Sequence, residues 1–165
     1  MNIEQRQLTD SDMIKFIETI GITKFEKSCN YMDPFINKHI FNEFILREKF
    51  FNYSIYVFGE FSENTLTKIS YYQLPNIGTL SKSAELQLLI CGNEKTEAAK
   101  FLSNSFLNLN KSYPDISKIK INIKNNIPNL DYILNLLSII GFQKELVLEK
   151  EFDDADLIIY SYFIK

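Results

Sequence analysis

The sequence predicts a single α/β domain, in an α+β arrangement, with four helices and a mixed, mostly antiparallel sheet of about seven strands. Three observations support this prediction. The chain has 165 residues, which is enough for one well-packed domain but too few for two ordinary ones. Apolar residues recur at helical spacing in some segments and at strand spacing in others. No linker or internal repeat divides the chain, so residues 1–165 are expected to form one domain.

The N-terminal third predicts one short strand and two helices. Residues 1–8 favour a strand, and the cap residue Thr9 precedes a helix that ends at Gly21. Asp33 and Pro34 predict the start of the second helix, because Asp can cap free N–H groups and Pro fits the first helical position. The apolar face of this second helix would contain Ile36, Ile40, Phe41, Phe44 and Ile45.

The middle of the chain predicts a β-hairpin followed by a strand–helix–strand unit. Residues 53–61 and 65–74 are rich in aromatic and β-branched residues and would form the hairpin. Residues 84–91 predict a strand covered on both faces, because the second half of this segment is continuously apolar. Asn93 would cap the next helix. Residues 117–123 alternate as a strand does, so the two strands of this unit are expected to be parallel.

The C-terminal segment predicts a helix, a glycine junction and two strands. Pro128 can open the helix, and Gly141 ends it where a left-handed cap is needed. Residues 144–152 and 156–164 would form the strands, with an acidic turn between them. The predicted order of the whole chain is therefore β-α-α-β-β-β-α-β-α-β-β.

Composition excludes several classes of function. The net charge of −3 and the pI of about 5.3 argue against a nucleic-acid partner, which normally meets a basic face. No apolar run approaches the roughly 20 residues that span a bilayer, so no membrane partner is expected. Cys29 and Cys91 lie far apart without metal-ligand spacing. They are interpreted as reduced thiols of a cytoplasmic protein, with no metal site.

Three short motifs, in this order and spacing, resemble the GNAT superfamily of acyl-CoA-dependent N-acyltransferases. They are LTDSD at residues 8–12, AELQLLI at residues 84–90 and SIIGFQKE at residues 138–145, and the last is the most specific. The resemblance in element order covers essentially the whole chain. It implies an N-acetyltransferase that moves an acetyl or other acyl group from acyl-CoA to a primary amine. The acceptor amine is not specified.

The resemblance also implies where acetyl-CoA would bind. The family has a V-shaped opening between two parallel strands, here residues 84–91 and 117–123. The pantetheine arm would pair like an extra strand with the first of these, and the pyrophosphate would meet the N-terminus of the following helix, where free N–H groups attract anions. The cofactor-binding residues implied in this way are Leu88, Leu89, Ile90, Cys91, Asn93, Lys95, Thr96, Ala98 and Asn129.

Two parts of the family's pattern are altered. The pyrophosphate loop is degenerate, since it has one Gly and no Arg and carries Glu94 and Glu97, which would repel a phosphate. The family often has a Tyr four residues before the Gly of the Gly-Phe pair, as an acid for the leaving thiolate. That position is Leu137 here. Tyr132 lies five residues earlier and about 140° away around an ideal helix, so it does not substitute simply.

Glu85 is the candidate general base, because amine acylation requires removal of a proton from the ammonium group. Its leucine neighbours would raise the pKa of its carboxyl group. The alternative is that Glu85 faces solvent at a strand end. Two alternatives also remain for the chain as a whole: a catalytically inactive GNAT-like binding or regulatory module, and a protein-interaction scaffold. A homodimer is one of the open assembly states.

Overall fold

The computed structural model describes residues 2–20 and 30–164, and it confirms the predicted fold class. The described residues contain four α-helices and an eight-stranded sheet. The strands are β1 Ile3–Gln7, β2 Tyr31–Met32, β3 Ile55–Ser62, β4 Thr65–Gln73, β5 Ser83–Ile90, β6 Lys118–Lys124, β7 Gln143–Phe152 and β8 Ala155–Phe163. The helices are α1 Met13–Ile20, α2 Glu43–Phe51, α3 Lys95–Ser112 and α4 Leu130–Ile140. The eighth strand, which the sequence did not predict, is the two-residue β2.

The main sheet runs in the order β1-β3-β4-β5-β6-β8-β7, and β2 lies off this path against β5. Within the described residues only the β5–β6 pair is parallel, which confirms the predicted strand–helix–strand crossover through α3. Apolar residues pack on both faces of the sheet. On one face α3 and α4 cover a core that includes Phe106 and Leu137, and on the other α1 and α2 cover a core that includes Phe16 and Leu46.

The strands β5 and β6 separate soon after they meet. Their pairing is limited to residues 83–85 of β5 and residues 118–120 of β6. On its other edge β5 pairs with β4 as far as Ile90, with a register shift that leaves Gln87 unmatched. Such a bulge bends a strand. The bulge at Gln87 lies just beyond the last β5–β6 pair, so it coincides with the place where the two strands separate.

The Gly-Phe junction after α4 has the predicted form. Gly141 adopts a left-handed conformation with φ of 98°, and the N–H groups of Gly141 and Phe142 both donate to the carbonyl of Leu137, at 3.0 and 2.9 Å. The ring of Phe142 packs against Phe106 and Tyr162. This anchors the start of β7 to the core on the α3 and α4 side. The helix itself begins at Leu130, two residues after Pro128.

The predicted helix start at Asp33 and Pro34 is wrong. The carboxylate of Asp33 accepts from the N–H of Phe35 at 2.9 Å and forms only a turn, while its own N–H donates to the carbonyl of Gln87 in β5. The helix begins ten residues later at Glu43, because Asn42 accepts from the N–H of Ile45 and supplies the N-cap. The predicted helix end at Gly21 lies outside the described residues.

Candidate functional site

Glu85 lies at the vertex of the opening, in the last residue pair before β5 and β6 separate, and Lys120 is its partner on β6. Its side chain is half-buried. Burial raises the pKa of its carboxyl group, the negative charge of Asp33 raises it further, and the positive charge of Lys120 opposes both. Among the described residues no hydrogen bond or ion pair holds the Glu85 carboxylate. A carboxylate in this setting binds a proton more readily than an exposed Glu does.

A pocket of about 400 Å³ opens beside Glu85 and Lys120. Its other walls come from the end of β4, the following loop and the start of β5, with the polar side chains Gln73, Asn76, Thr79, Ser81 and Ser83. Apart from Lys120, the polar side chains that line the pocket with Glu85 are neutral. The pocket is large enough for a small polar group that presents an amine to Glu85.

Asp33 is a second acid near the vertex, and sequence reasoning missed it as a site residue. Its side chain is buried, and the hydrogen-bond donors to it among the described residues are neutral: the side chain of Asn122 at 2.8 Å and the N–H of Phe35 at 2.9 Å. The hydroxyl of Tyr31 lies 3.4 Å from Asp33 Oδ2. Burial raises the pKa of its carboxyl group. The sequence signal, Asp before Pro, is equally typical of a helix cap, so it did not distinguish the two roles.

The opening between β5 and β6 contains a segment of the chain itself. Strand β2 pairs antiparallel with β5, with Tyr31 opposite Leu89 and Met32 opposite Leu88. Because β4 already holds the other edge of β5, β2 lies on the edge that faces β6. The hydroxyl of Tyr31 reaches across to the carbonyl of Asn122 in β6, at 2.8 Å. The expectation of a free strand edge at Leu88 and Leu89 is therefore corrected: this edge is paired internally.

Four other candidate cofactor residues also have roles inside the protein: Ile90, Cys91, Ala98 and Asn129. The N–H of Cys91 donates to Asn30 Oδ1 at 2.7 Å, and the side chain of Asn129 donates to the carbonyl of Asn30. The side chains of Ile90 and Ala98 are buried in the cores on opposite faces of the sheet. Burial raises the pKa of the Cys91 thiol to about 11, which makes it a poor nucleophile at neutral pH.

At the N-terminus of α3, Glu94 is the cap, not Asn93 as predicted. The Glu94 carboxylate accepts from the N–H of Glu97 at 2.7 Å, and this bond lowers the pKa of the Glu94 carboxyl group. Lys95 and Thr96 follow in the first turn, where an anion would lie. A negative side chain thus already meets the free N–H groups there. With the edge of β5 paired as well, the residues in this conformation do not fit an acyl-CoA.

Tyr132 contacts the same turn from α4. Its hydroxyl donates to the carbonyl of Gly92 at 2.8 Å and lies 3.7 Å from Cys91 Sγ. Leu137, at the position of the family's Tyr, is buried in the core. By helix spacing, Tyr132 does not replace the Tyr that the family has at the position of Leu137. Its hydroxyl reaches the opening because α4 packs against the turn that contains Gly92.

The described parts of the chain contain no group of three or more His, Cys, Asp or Glu side chains that could hold a metal ion. No helix within residues 2–20 and 30–164 is long and apolar enough to cross a membrane. Cys29 lies outside the described residues.

Comparison with known proteins gives a likeness in structure only. No protein-family profile matches the chain, and no curated protein matches it in sequence. A probable acetyltransferase from Staphylococcus epidermidis superposes with a TM-score of 0.70 at 16% identity, over 99% of this chain and 100% of that one. A ribosomal-protein-alanine N-acetyltransferase from Brucella melitensis gives 0.69 at 13% identity, over 98% and 99%.

A further similar structure contains the cofactor that the sequence motifs imply. The PaiA N-acetyltransferase from Thermoplasma acidophilum, solved in complex with coenzyme A, has a TM-score of 0.64 at 16% identity, over 99% of this chain and 100% of that one. These likenesses extend over almost the full length of each protein. The chain therefore has the fold of the GNAT-family acetyltransferases.

Proposed function

We propose that the protein is an N-acyltransferase that transfers an acyl group, most simply acetyl from acetyl-CoA, to a primary amine. The observation that carries this proposal is the position of Glu85. Its half-buried carboxylate has no hydrogen-bond or ion-pair partner among the described residues, and it lies where β5 and β6 separate, on the wall of a polar pocket. The full-length likeness to acetyltransferases supports acyl transfer as the class of reaction.

The chemistry that follows concerns the acceptor. A primary amine is mostly an ammonium ion at neutral pH, and only the free amine has the lone pair that attacks a carbonyl carbon. Glu85 accepts that proton, and its raised pKa brings its proton affinity closer to neutrality than that of an exposed Glu. Ser81 and Ser83 in the pocket wall provide neutral hydroxyl groups toward the rest of the acceptor.

The direct test is release of free thiol from acetyl-CoA in the presence of a panel of primary amines. We expect Glu85→Gln to lower the turnover number by about 10²-fold or more, because general base catalysis contributes on that order. Glu18→Gln is the matched control, since it makes the same change at an exposed position of α1. Equal rates for Glu85→Gln and wild type would refute the role of Glu85, and no thiol release with any amine would refute the activity.

A second candidate is a GNAT-fold module that binds or regulates without catalysis. The observation in its favour is the internal pairing of the β5 edge, together with Glu94 at the α3 N-terminus. Thermal unfolding with acetyl-CoA separates the two candidates. A ligand at 100 times its dissociation constant stabilises the folded state by about 2.7 kcal/mol, which gives a clear midpoint shift. A midpoint that stays constant at millimolar acetyl-CoA would favour the second candidate.

A further inference from the structure

We propose that residues 30–33, called here the inserted segment, close the opening between β5 and β6 in the resting protein. In this closed groove the segment competes with the pantetheine arm of acyl-CoA for the edge of β5. This inference rests on the proposed function and adds to it a conformational step. It follows from three observations: which groups of β5 the segment holds, how Asn30 holds them, and what the segment contacts on the opposite side of the opening.

The inserted segment uses the backbone groups at which an extra strand would pair. The N–H of Asp33 donates to the carbonyl of Gln87 at 2.9 Å, and the N–H of Asn30 donates to the carbonyl of Leu89 at 3.0 Å. Between these bonds Tyr31 and Met32 form the short antiparallel ladder with β5. A pantetheine arm carries amide groups that pair with a strand edge in the same way. The segment and the arm therefore cannot hold this edge together.

Asn30 continues the pairing beyond the ladder with its side chain. Its Oδ1 accepts from the N–H of Cys91 at 2.7 Å, and its Nδ2 donates to the carbonyl of Gly92 at 2.7 Å. One carboxamide thus satisfies both a donor and an acceptor just beyond the end of β5, as an amide of a pantetheine arm would. Asn30 is buried, so these bonds are shielded from water.

On the other side, the inserted segment is bonded to β6 and α4. The hydroxyl of Tyr31 donates to the carbonyl of Asn122, the side chain of Asn122 donates to Asp33 Oδ2, and the side chain of Asn129 donates to the carbonyl of Asn30. Tyr31 is also buried in the core on the α3 and α4 side. The segment therefore spans the opening from β5 to β6, and a ligand can enter only if the segment leaves.

The segment is short enough to leave. Its strand contains two residues, whereas β4 and β5 pair over most of their length. It also buries the Asp33 carboxylate near Glu85, and among residues 2–20 and 30–164 the hydrogen-bond donors to that carboxylate are neutral. A buried charge without a counter-charge opposes closure. These features favour a segment that is held by hydrogen bonds and can be displaced by a ligand that replaces them.

The test compares wild type with Asn30→Ala, and uses coenzyme A itself as the probe. The substitution removes both side-chain bonds to Cys91 and Gly92, just after β5. We expect coenzyme A to bind Asn30→Ala roughly tenfold more tightly than wild type in calorimetric titrations, because a closed state reduces apparent affinity by its population. Asn122→Ala removes the bond from β6 to Asp33 of the inserted segment, so it should also tighten the binding of coenzyme A. Asn135→Ala is the control, since Asn135 is exposed and bonds only within α4.

Amide hydrogen exchange provides a readout that does not depend on affinity. In wild type the N–H groups of Asn30, Asp33 and Cys91 should be protected. Saturating coenzyme A should remove the protection of Asn30 and Asp33 and preserve that of Cys91, because the arm replaces the segment. Unprotected Asn30 and Asp33 in the free wild type would overturn the closed groove.

The remaining outcomes separate this inference from the proposed function. If coenzyme A binds wild type and Asn30→Ala equally, or binds without loss of protection at Asn30 and Asp33, the competition is refuted and the transferase proposal stands. If Asn30→Ala exposes the Cys91 amide but neither protein binds coenzyme A, the edge is not a pantetheine site. That result overturns the inference and the proposed function together.

Discussion

The hydroxyl of Tyr132 in α4 donates a 2.8 Å hydrogen bond to the carbonyl of Gly92, in the turn between β5 and α3. This bond links the last helix to the end of the strand that lines the opening. Gly92 has a positive φ of 75°, and the same carbonyl also accepts from Asn30 Nδ2. The turn is thus held from α4 and from the inserted segment at a single oxygen.

Tyr132→Phe is expected to lower the free energy of unfolding by about 0.5–1.5 kcal/mol, the net value of one hydrogen bond. The loss stays in this range because Asn30 still donates to the Gly92 carbonyl. Chemical denaturation is the measurement. Tyr160→Phe is the control, since no hydrogen bond from the Tyr160 hydroxyl is found within the described residues. Equal free energies of unfolding for the two variants would show that the bond from Tyr132 to Gly92 does not stabilise the protein.

Ser105→Ala is expected to destabilise the protein by about 1–3 kcal/mol, the cost of leaving buried polar groups without partners. Ser105 Oγ lies 2.6 Å from the hydroxyl of Tyr72 and 2.8 Å from Ser70 Oγ, and all three side chains are fully buried between α3 and β4. Ser103→Ala makes the same change at an exposed position of the same helix. Its effect should stay within about 0.5 kcal/mol, and a loss as large as that of Ser105→Ala would argue against the network.

Asp12→Asn should lower stability at neutral pH and lose that effect in acid. Arg6 donates two hydrogen bonds to the Asp12 carboxylate, at 2.6 and 2.9 Å, and lowers the pKa of that carboxyl group from 3.8 to about 2. A lowered pKa in the folded state adds stability above pH 3.8, and this stability disappears as the pH falls from 3.8 to about 2.

We expect Asp12→Asn to cost about 1–2 kcal/mol at pH 7, a value reduced for the solvent exposure of Arg6. The measurement is urea denaturation of wild type and variant from pH 7 to pH 2. A difference in stability that stays constant over this range would show that the ion pair is not its source.

The titration of Glu85 should shift in opposite directions in two variants. Lys120→Met removes the positive charge that favours the ionised carboxylate, so the pKa of Glu85 should rise. Asp33→Asn removes a negative charge that disfavours it, so the pKa of Glu85 should fall. Carbon NMR of the Glu85 carboxyl group, followed as a function of pH, measures both pKa shifts and requires no enzymatic activity. A pKa of Glu85 that is unchanged in both variants would show that neither charge lies near this carboxylate.

Local pattern was sufficient for most of the fold. The alternation of residues 117–123, the Gly141 cap and the apolar end of β5 depend on neighbours within a few positions, and the structure confirms each of them. Family motifs also directed attention to Glu85 before its surroundings were known. The exact cap of α3 was missed, because Asn93 and Glu94 both have side chains that can accept a hydrogen bond from a helix N-terminus.

The start of α2 was misplaced for a reason that lies outside the local pattern. Asp33 before Pro34 satisfies every local rule for a helix start. In the folded protein the N–H of Asp33 is held by the carbonyl of Gln87 in β5, and the chain continues as a turn. Local preference was overridden by pairing with a distant strand.

Apart from the short β2, the order of helices and strands was already present in the spacing of apolar residues, because periodicity of 3.6 or 2 acts between near neighbours. The closed groove was not, because the bond from Cys91 to Asn30 joins residues 61 positions apart. No short-range pattern encodes which of several polar loops will reach a free strand edge. Packing of the whole chain settles that question, and with it whether the opening beside Glu85 is open or closed.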